Sequence, residues 1–138
     1  KYDRQELTAE ERNGQALFEG KARCYSCHNG ENFNGYQTDF ENDGLEVTYS
    51  DLGRGKISHF ETDNGKFNVP TLRNIEYSAP YMHDGRYNTL REVIDHYDHG
   101  VQNSRNLSWI LRDIPANVED TLNFSSLQSS DLDRKSVV

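Results

Sequence analysis

Cys24-Tyr25-Ser26-Cys27-His28 places two thiols and an imidazole within five residues. Two cysteines separated by two residues on a helical turn can reach the two vinyl groups on neighbouring edges of a haem. A histidine directly after the second cysteine then lies under the iron, so one pentapeptide supplies both covalent attachment and axial ligation. Cys24 and Cys27 are the only cysteines, and a loop this short stabilises little by disulfide closure. Two other chemistries share the spacing. A thioredoxin-like redox pair belongs to a strand-turn-helix context with βαβ patterning, which the sequence lacks. A structural zinc site needs a second pair at finger spacing, for which His96 and His99 are the sole candidates. The expectation is one covalent c-type haem, with iron held by His28.

Outward from this motif, the composition agrees with a cofactor-filled core. The chain has 138 residues, of which 33% are hydrophobic, and a formal charge of −8. That length suits one domain, 1–138, with a thin apolar complement and much loop. The negative charge disfavours nucleic acid and anionic membranes, and suits a basic protein partner. No apolar run reaches membrane-spanning length. The polar start Lys1-Tyr2-Asp3-Arg4 is no signal peptide, so an exported chain is expected to have lost one.

Thr8 followed by Glu11 reads as a capping box that opens a helix through Leu17 and Phe18 to Gly20, delivering the chain to Cys24. From Asn29 to Asn68, Asn-Gly and Asp-Gly pairs recur without periodicity, which predicts a long ordered loop. Val69-Pro70-Thr71-Leu72-Arg73-Asn74 predicts a short helix with proline at its start. Thr89 and Glu92 form a second capping box, after which Leu90, Val93, Ile94 and Tyr97 share one face until Gly100. Trp109, Ile110 and Leu111 are the expected burial points of the remainder. Ser130 to Val138 reads as a helix start that the chain breaks off, implying a longer native sequence. The fold class expected is all-α with long loops, a c-type cytochrome domain wrapped around one haem.

Beyond the haem motif, the sequence resembles the C-terminal domain of bacterial di-haem cytochrome c peroxidases and their MauG-like relatives. The similar segments are Gly14 to Phe18, Cys24 to His28, Phe40-Glu41-Asn42-Asp43-Gly44-Leu45, Asp51 to Arg54, Phe67 to Asn74 and Ala79-Pro80-Tyr81-Met82-His83-Asp84-Gly85-Arg86. The resemblance implies a bacterial periplasmic enzyme in which this domain's haem relays electrons. A second haem, in an N-terminal domain missing from this chain, meets hydrogen peroxide. It also implies a small electron-donor or acceptor protein as partner. A calcium ion lies between the family's domains, held partly by backbone carbonyls where Ser78 and Pro80 stand here. On its own the chain is expected not to be peroxidatic. The alternatives are a stand-alone mono-haem electron carrier and a ligand sensor with an open iron.

The second axial ligand separates these roles. Tyr97 lies on the apolar face of its helix, where the resembling family has methionine or, in the MauG-like branch, tyrosine; a phenolate would stabilise ferric iron. Met82 is the only methionine and offers thioether ligation or packing at the haem edge. His83 and His96 offer bis-imidazole ligation. Arg54 and Arg73 are candidates to bind haem propionates, because guanidinium pairs bidentately with carboxylate. The acidic pairs Asp43 with Glu46 and Asp131 with Asp133 read as solvated or helix-start charges.

Overall fold

Thr8 accepts a hydrogen bond from the Glu11 amide at 3.2 Å while the Glu11 carboxylate accepts from the Thr8 amide at 2.7 Å. This two-sided cap opens helix α1, Ala9–Glu19. The computed structural model describes residues 7–35 and 40–112. The helix ends at Gly20, whose backbone (φ −107, ψ −103) leaves the helical region, and a Cβ there would lie 2.8 Å from the Ala16 carbonyl oxygen. No residue of α1 is buried. Its inner side, Leu17 and Phe18, is half-covered, and Phe18 meets Tyr25 and Phe33 edge-on at 6.5 and 6.0 Å between ring centres.

The segment from Phe40 onward carries the core. Strand β1, Phe40–Glu41, pairs antiparallel with β2, Phe67–Asn68, in the register Phe40 to Asn68 and Glu41 to Phe67. Between them lie a one-turn helix α2, Gly55–Ser58, and a 3-10 turn, Glu61–Asp63. The architecture is helical with long loops, as expected, with this short ribbon added, and the loop expected over 29–68 is broken by a helical turn. Leu45, Tyr49, Val69, Leu72, Tyr81, Leu107 and Ile110 form the buried apolar set.

At the centre of this core sits a polar residue. Asn42 is 1% exposed, and its Oδ1 accepts from the Gly44 amide at 3.0 Å, the Tyr49 hydroxyl at 3.0 Å and the Ser104 hydroxyl at 3.1 Å. Its backbone carbonyl accepts from the Ser108 amide at 3.0 Å. The loop 42–49 is thereby tied to 104–108, and Gly44 follows with φ +70, where an added Cβ would strike Val101 and Leu107.

Two sequence expectations fail here. Residues 69–72 are not helical; the 3-10 turn comes later, at Ile75–Tyr77. Thr71 donates to the Asn32 carbonyl at 2.5 Å and accepts from the Arg73 amide at 3.2 Å, which pins the segment extended against the loop behind the cysteines. Trp109 is 72% exposed, while Ile110 beside it is buried and Leu111 half-buried. Helix α4, Trp109–Arg112, is a single turn, too short for apolar periodicity to fix which face turns inward. The helix expected over 130–138, with Asp131 and Asp133, lies outside the described residues.

The second capping box forms as expected. Glu92 accepts from the Thr89 amide at 2.9 Å, and Thr89 accepts from the Glu92 amide at 3.2 Å, opening α3, Leu90–Asp95. The Thr89→Ala variant should lose about 1 kcal/mol of stability, the usual cost of removing such a cap, read as a lower denaturant midpoint at unchanged slope. At His96 the helix widens into a π turn, His96–Gly100.

Candidate functional site

Arg23, with a left-handed φ of 56, turns the chain from α1 into a 3-10 turn at Cys24–Ser26. The Cys27 and His28 amides both donate to the Cys24 carbonyl, at 3.2 and 2.9 Å. The two thiols and the imidazole thus leave one helical turn, and all three side chains are half-buried. Cys24 Sγ lies 3.6 Å from the Ala22 carbonyl oxygen, and burial pushes its thiol pKa up.

His28 Nδ1 lies 3.0 Å from the Phe33 carbonyl oxygen. A carbonyl only accepts, so Nδ1 carries the proton and the neutral ring keeps its lone pair on Nε2. Burial lowers the His28 pKa, against hydrogen bonds to the Phe33 and Pro70 backbone that raise it. The net effect favours the neutral imidazole that a metal requires. Phe33 itself holds a left-handed φ of 53, and its loop is braced from a distance: Arg73 Nε donates to Asn32 Oδ1 at 3.0 Å and its terminal nitrogen to the Glu31 carbonyl. Among the described residues, no three or more His, Cys, Asp or Glu side chains gather into a metal-holding group. Cys24, Cys27 and His28 therefore do not converge on one point as tetrahedral zinc ligands do.

The structure distributes the other candidates unequally. Tyr97 is half-buried on α3's extension. Its pKa is raised first by burial, then by the charges of Asp43, Cys27, Cys24 and Tyr49. Met82 is half-buried with a left-handed φ of 70, in a loop pinched by the Tyr81 amide donating to the Tyr87 carbonyl at 2.7 Å. Arg86 ties this loop to the core, donating to Asp84 at 2.6 Å and to Glu46 at 2.8 Å. Glu46 is therefore an ion-pair partner, while the Asp43 carboxyl is pushed up by burial.

His83 stacks on Phe67, ring centres 3.6 Å apart. His96 is buried and its Nε2 lies 2.9 Å from the Asp43 carbonyl oxygen. Arg54 pairs with Asp63 at 3.1 Å and sits over the Phe40 ring at 4.5 Å. Both candidate propionate arginines thus have protein partners. Ser78 and Pro80 are both exposed. Asn42 and the burial of His96 escaped the sequence reading; an Asn-Asp-Gly turn before Leu45 was the available signal for the first.

No protein-family model matches the sequence. Cytochrome-c peroxidase IdrP1 of Pseudomonas sp. (strain SCT) is 32% identical, the match covering 80% of this chain and 36% of that protein. The methylamine utilization protein MauG of Methylorubrum extorquens is 36% identical, covering 80% of this chain and 31% of its own. The chain belongs to the cytochrome c peroxidase and MauG family. A crystal structure of a MauG-like protein associated with microbial copper homeostasis superposes with a TM-score of 0.69 at 33% identity, over 77% of this chain and 41% of that one. This cytochrome c peroxidase and MauG relative spans about a third of the length of the curated relatives it matches. Among its described residues, no helix is long and apolar enough to cross a membrane.

Proposed function

We propose that this chain is the electron-transfer domain of a di-haem cytochrome c peroxidase or MauG-like oxidase, corresponding to the C-terminal haem domain of the family. Cys24 and Cys27 would hold one haem by thioether bonds, with His28 Nε2 and the Tyr97 oxygen as its iron ligands. The observation that carries this reading is the turn itself. Two half-buried thiols and an imidazole whose Nδ1 is committed to the Phe33 carbonyl leave the same helical turn.

When bound, the haem supplies a one-electron couple and a ferric charge that favours a phenolate over a phenol. The chain's residues do the rest. The Phe33 carbonyl fixes the His28 tautomer and ring orientation, as outer hydrogen-bond partners of ligating histidines do. Arg73 and Thr71 hold the loop that carries that carbonyl. Leu17, Phe18 and Phe33 present apolar surface beside the cysteines. Burial around Tyr97 keeps its phenol protonated until a cation faces it.

In this reading the protein is periplasmic, hydrogen peroxide is the substrate of the whole enzyme, and a second haem domain is the immediate electron partner. A small protein exchanges electrons with the pair. Calcium between domains at the Ser78–Pro80 loop belongs to the same reading. An optical redox titration of the haem-loaded protein should show a reversible one-electron couple for this haem. Peroxide turnover should appear only with the second haem domain present. Tight carbon monoxide binding by this haem once reduced, or peroxide turnover by this domain alone, would point instead to an open iron.

A further inference from the structure

We propose that His96 is the positioning residue for Tyr97: its hydrogen bond to the Asp43 backbone anchors the π turn that presents the phenol to the haem side. This deepens the reading of Tyr97 as distal ligand and rests on it. His96 is buried, at 4% exposure. Its Nε2 lies 2.9 Å from the Asp43 carbonyl oxygen, a contact that spans 53 residues of chain. Because that oxygen only accepts, Nε2 is the donor.

The imidazole is enclosed on its other sides. Tyr97 meets it edge-on at 5.2 Å between ring centres, and Tyr87 at 5.9 Å. A Cβ on Gly100 would lie 3.2 Å from His96 Nδ1, so the end of the π turn also closes on the ring. The acceptor is itself rigidly held. Asn42, the residue before Asp43, binds Gly44, Tyr49 and Ser104 through Oδ1, and Gly44 accepts from the Gln102 amide at 2.7 Å.

The position of this bond along the helix gives it leverage. Helix α3 is regular through Asp95, and the widened turn starts at the residue that makes the bond. A π turn admits an extra residue and so rotates the side chains that follow it, a device that recurs at functional sites. Both His96 and its neighbour Tyr97 can then turn away from solvent, which an α-helical stripe through Leu90, Val93, Ile94 and Tyr97 does not provide for. His96 touches no iron and moves no proton. It fixes where the Tyr97 ring sits.

The test compares Tyr97→Phe, His96→Phe and His96→Gln in the haem-loaded protein, read by the ferric tyrosinate charge-transfer band and by the midpoint potential. His96→Phe keeps an aromatic ring but has no donor; it should lose most of the band and shift the potential upward. His96→Gln, whose Nε2 can still reach the Asp43 carbonyl, should keep both. A parental band and potential in His96→Phe, or a loss in His96→Gln as complete as in His96→Phe, overturns the proposal. If His96→Phe does not fold, His96→Gln decides alone: retention of the band supports it and loss overturns it. If Tyr97→Phe itself keeps the band, the ligand reading falls and this proposal with it. If Tyr97→Phe loses the band and His96→Phe does not, only the positioning role falls.

Discussion

Exchanging Tyr97 for Phe should abolish the ferric tyrosinate band and raise the midpoint potential of this haem. Axial ligands move haem potentials across about 0.8 V, so the upward shift should be on the order of 0.1 V or more. An anionic oxygen donor stabilises ferric over ferrous iron, and a benzyl side chain gives back neither charge nor ligand. The other candidates should not substitute for it. His96 is bound to the Asp43 carbonyl and His83 is stacked on Phe67, so neither ring is poised as a replacement. Met82→Leu, in the pinched loop, should leave the spectrum unchanged. A Tyr97→Phe spectrum identical to the parent, or a Met82→Leu spectrum that loses a thioether signature, would reassign the ligand. Optical and paramagnetic resonance spectra of the ferric proteins distinguish these outcomes.

The second large effect is on stability. Asn42→Ala should cost about 4 kcal/mol, because it strands the buried Gly44 amide and Ser104 hydroxyl at about 1–3 kcal/mol each and removes packed atoms. Tyr49 loses less, since its hydroxyl also reaches Asp43 at 3.3 Å. The Tyr49 hydroxyl, pushed up to about 12 by burial and by the Asp43 charge, remains a donor throughout the ordinary pH range. Asn42 Nδ2 has no protein partner, so the loss comes through Oδ1. Against a typical stability of about 5–15 kcal/mol this is a large fraction. The check is the denaturant midpoint of the haem-loaded protein at constant slope; a loss below about 1 kcal/mol would mean that the loop 42–49 is held by other contacts.

Local chemistry was legible in the sequence wherever it closes within a few residues. Both capping boxes form with the partners expected, Thr8 with Glu11 and Thr89 with Glu92, because each needs only three residues of spacing. The turn through Cys24 and His28 is of the same kind. What escaped depends on contacts far apart in the chain. Val69 to Asn74 has proline at a helix-start position, yet Thr71 and Arg73 reach back 39 to 42 residues to Asn32 and Glu31, and those bonds hold the segment extended. Trp109 is an expected burial point, with Ile110 and Leu111, in a weakly patterned segment. A one-turn helix carries no periodicity to set its phase, and the smaller Ile110 is buried instead. His96 fell off the apolar stripe because the stripe assumes α-helical spacing, whereas the chain widens at that residue. Asn42 lay in a run of Asn, Asp and Gly that reads as surface turn; its burial comes from Ser104, 62 residues later.

The most direct measurement is the intact mass of the denatured chain, made in a host that matures c-type cytochromes, together with its pyridine haemochrome spectrum. The expected result is the polypeptide mass plus one haem, retained through acid extraction and lost when Cys24→Ala and Cys27→Ala are combined. A denatured chain at the bare polypeptide mass, with all haem in the extract, would contradict covalent attachment through Cys24 and Cys27 and with it the role assigned to His28.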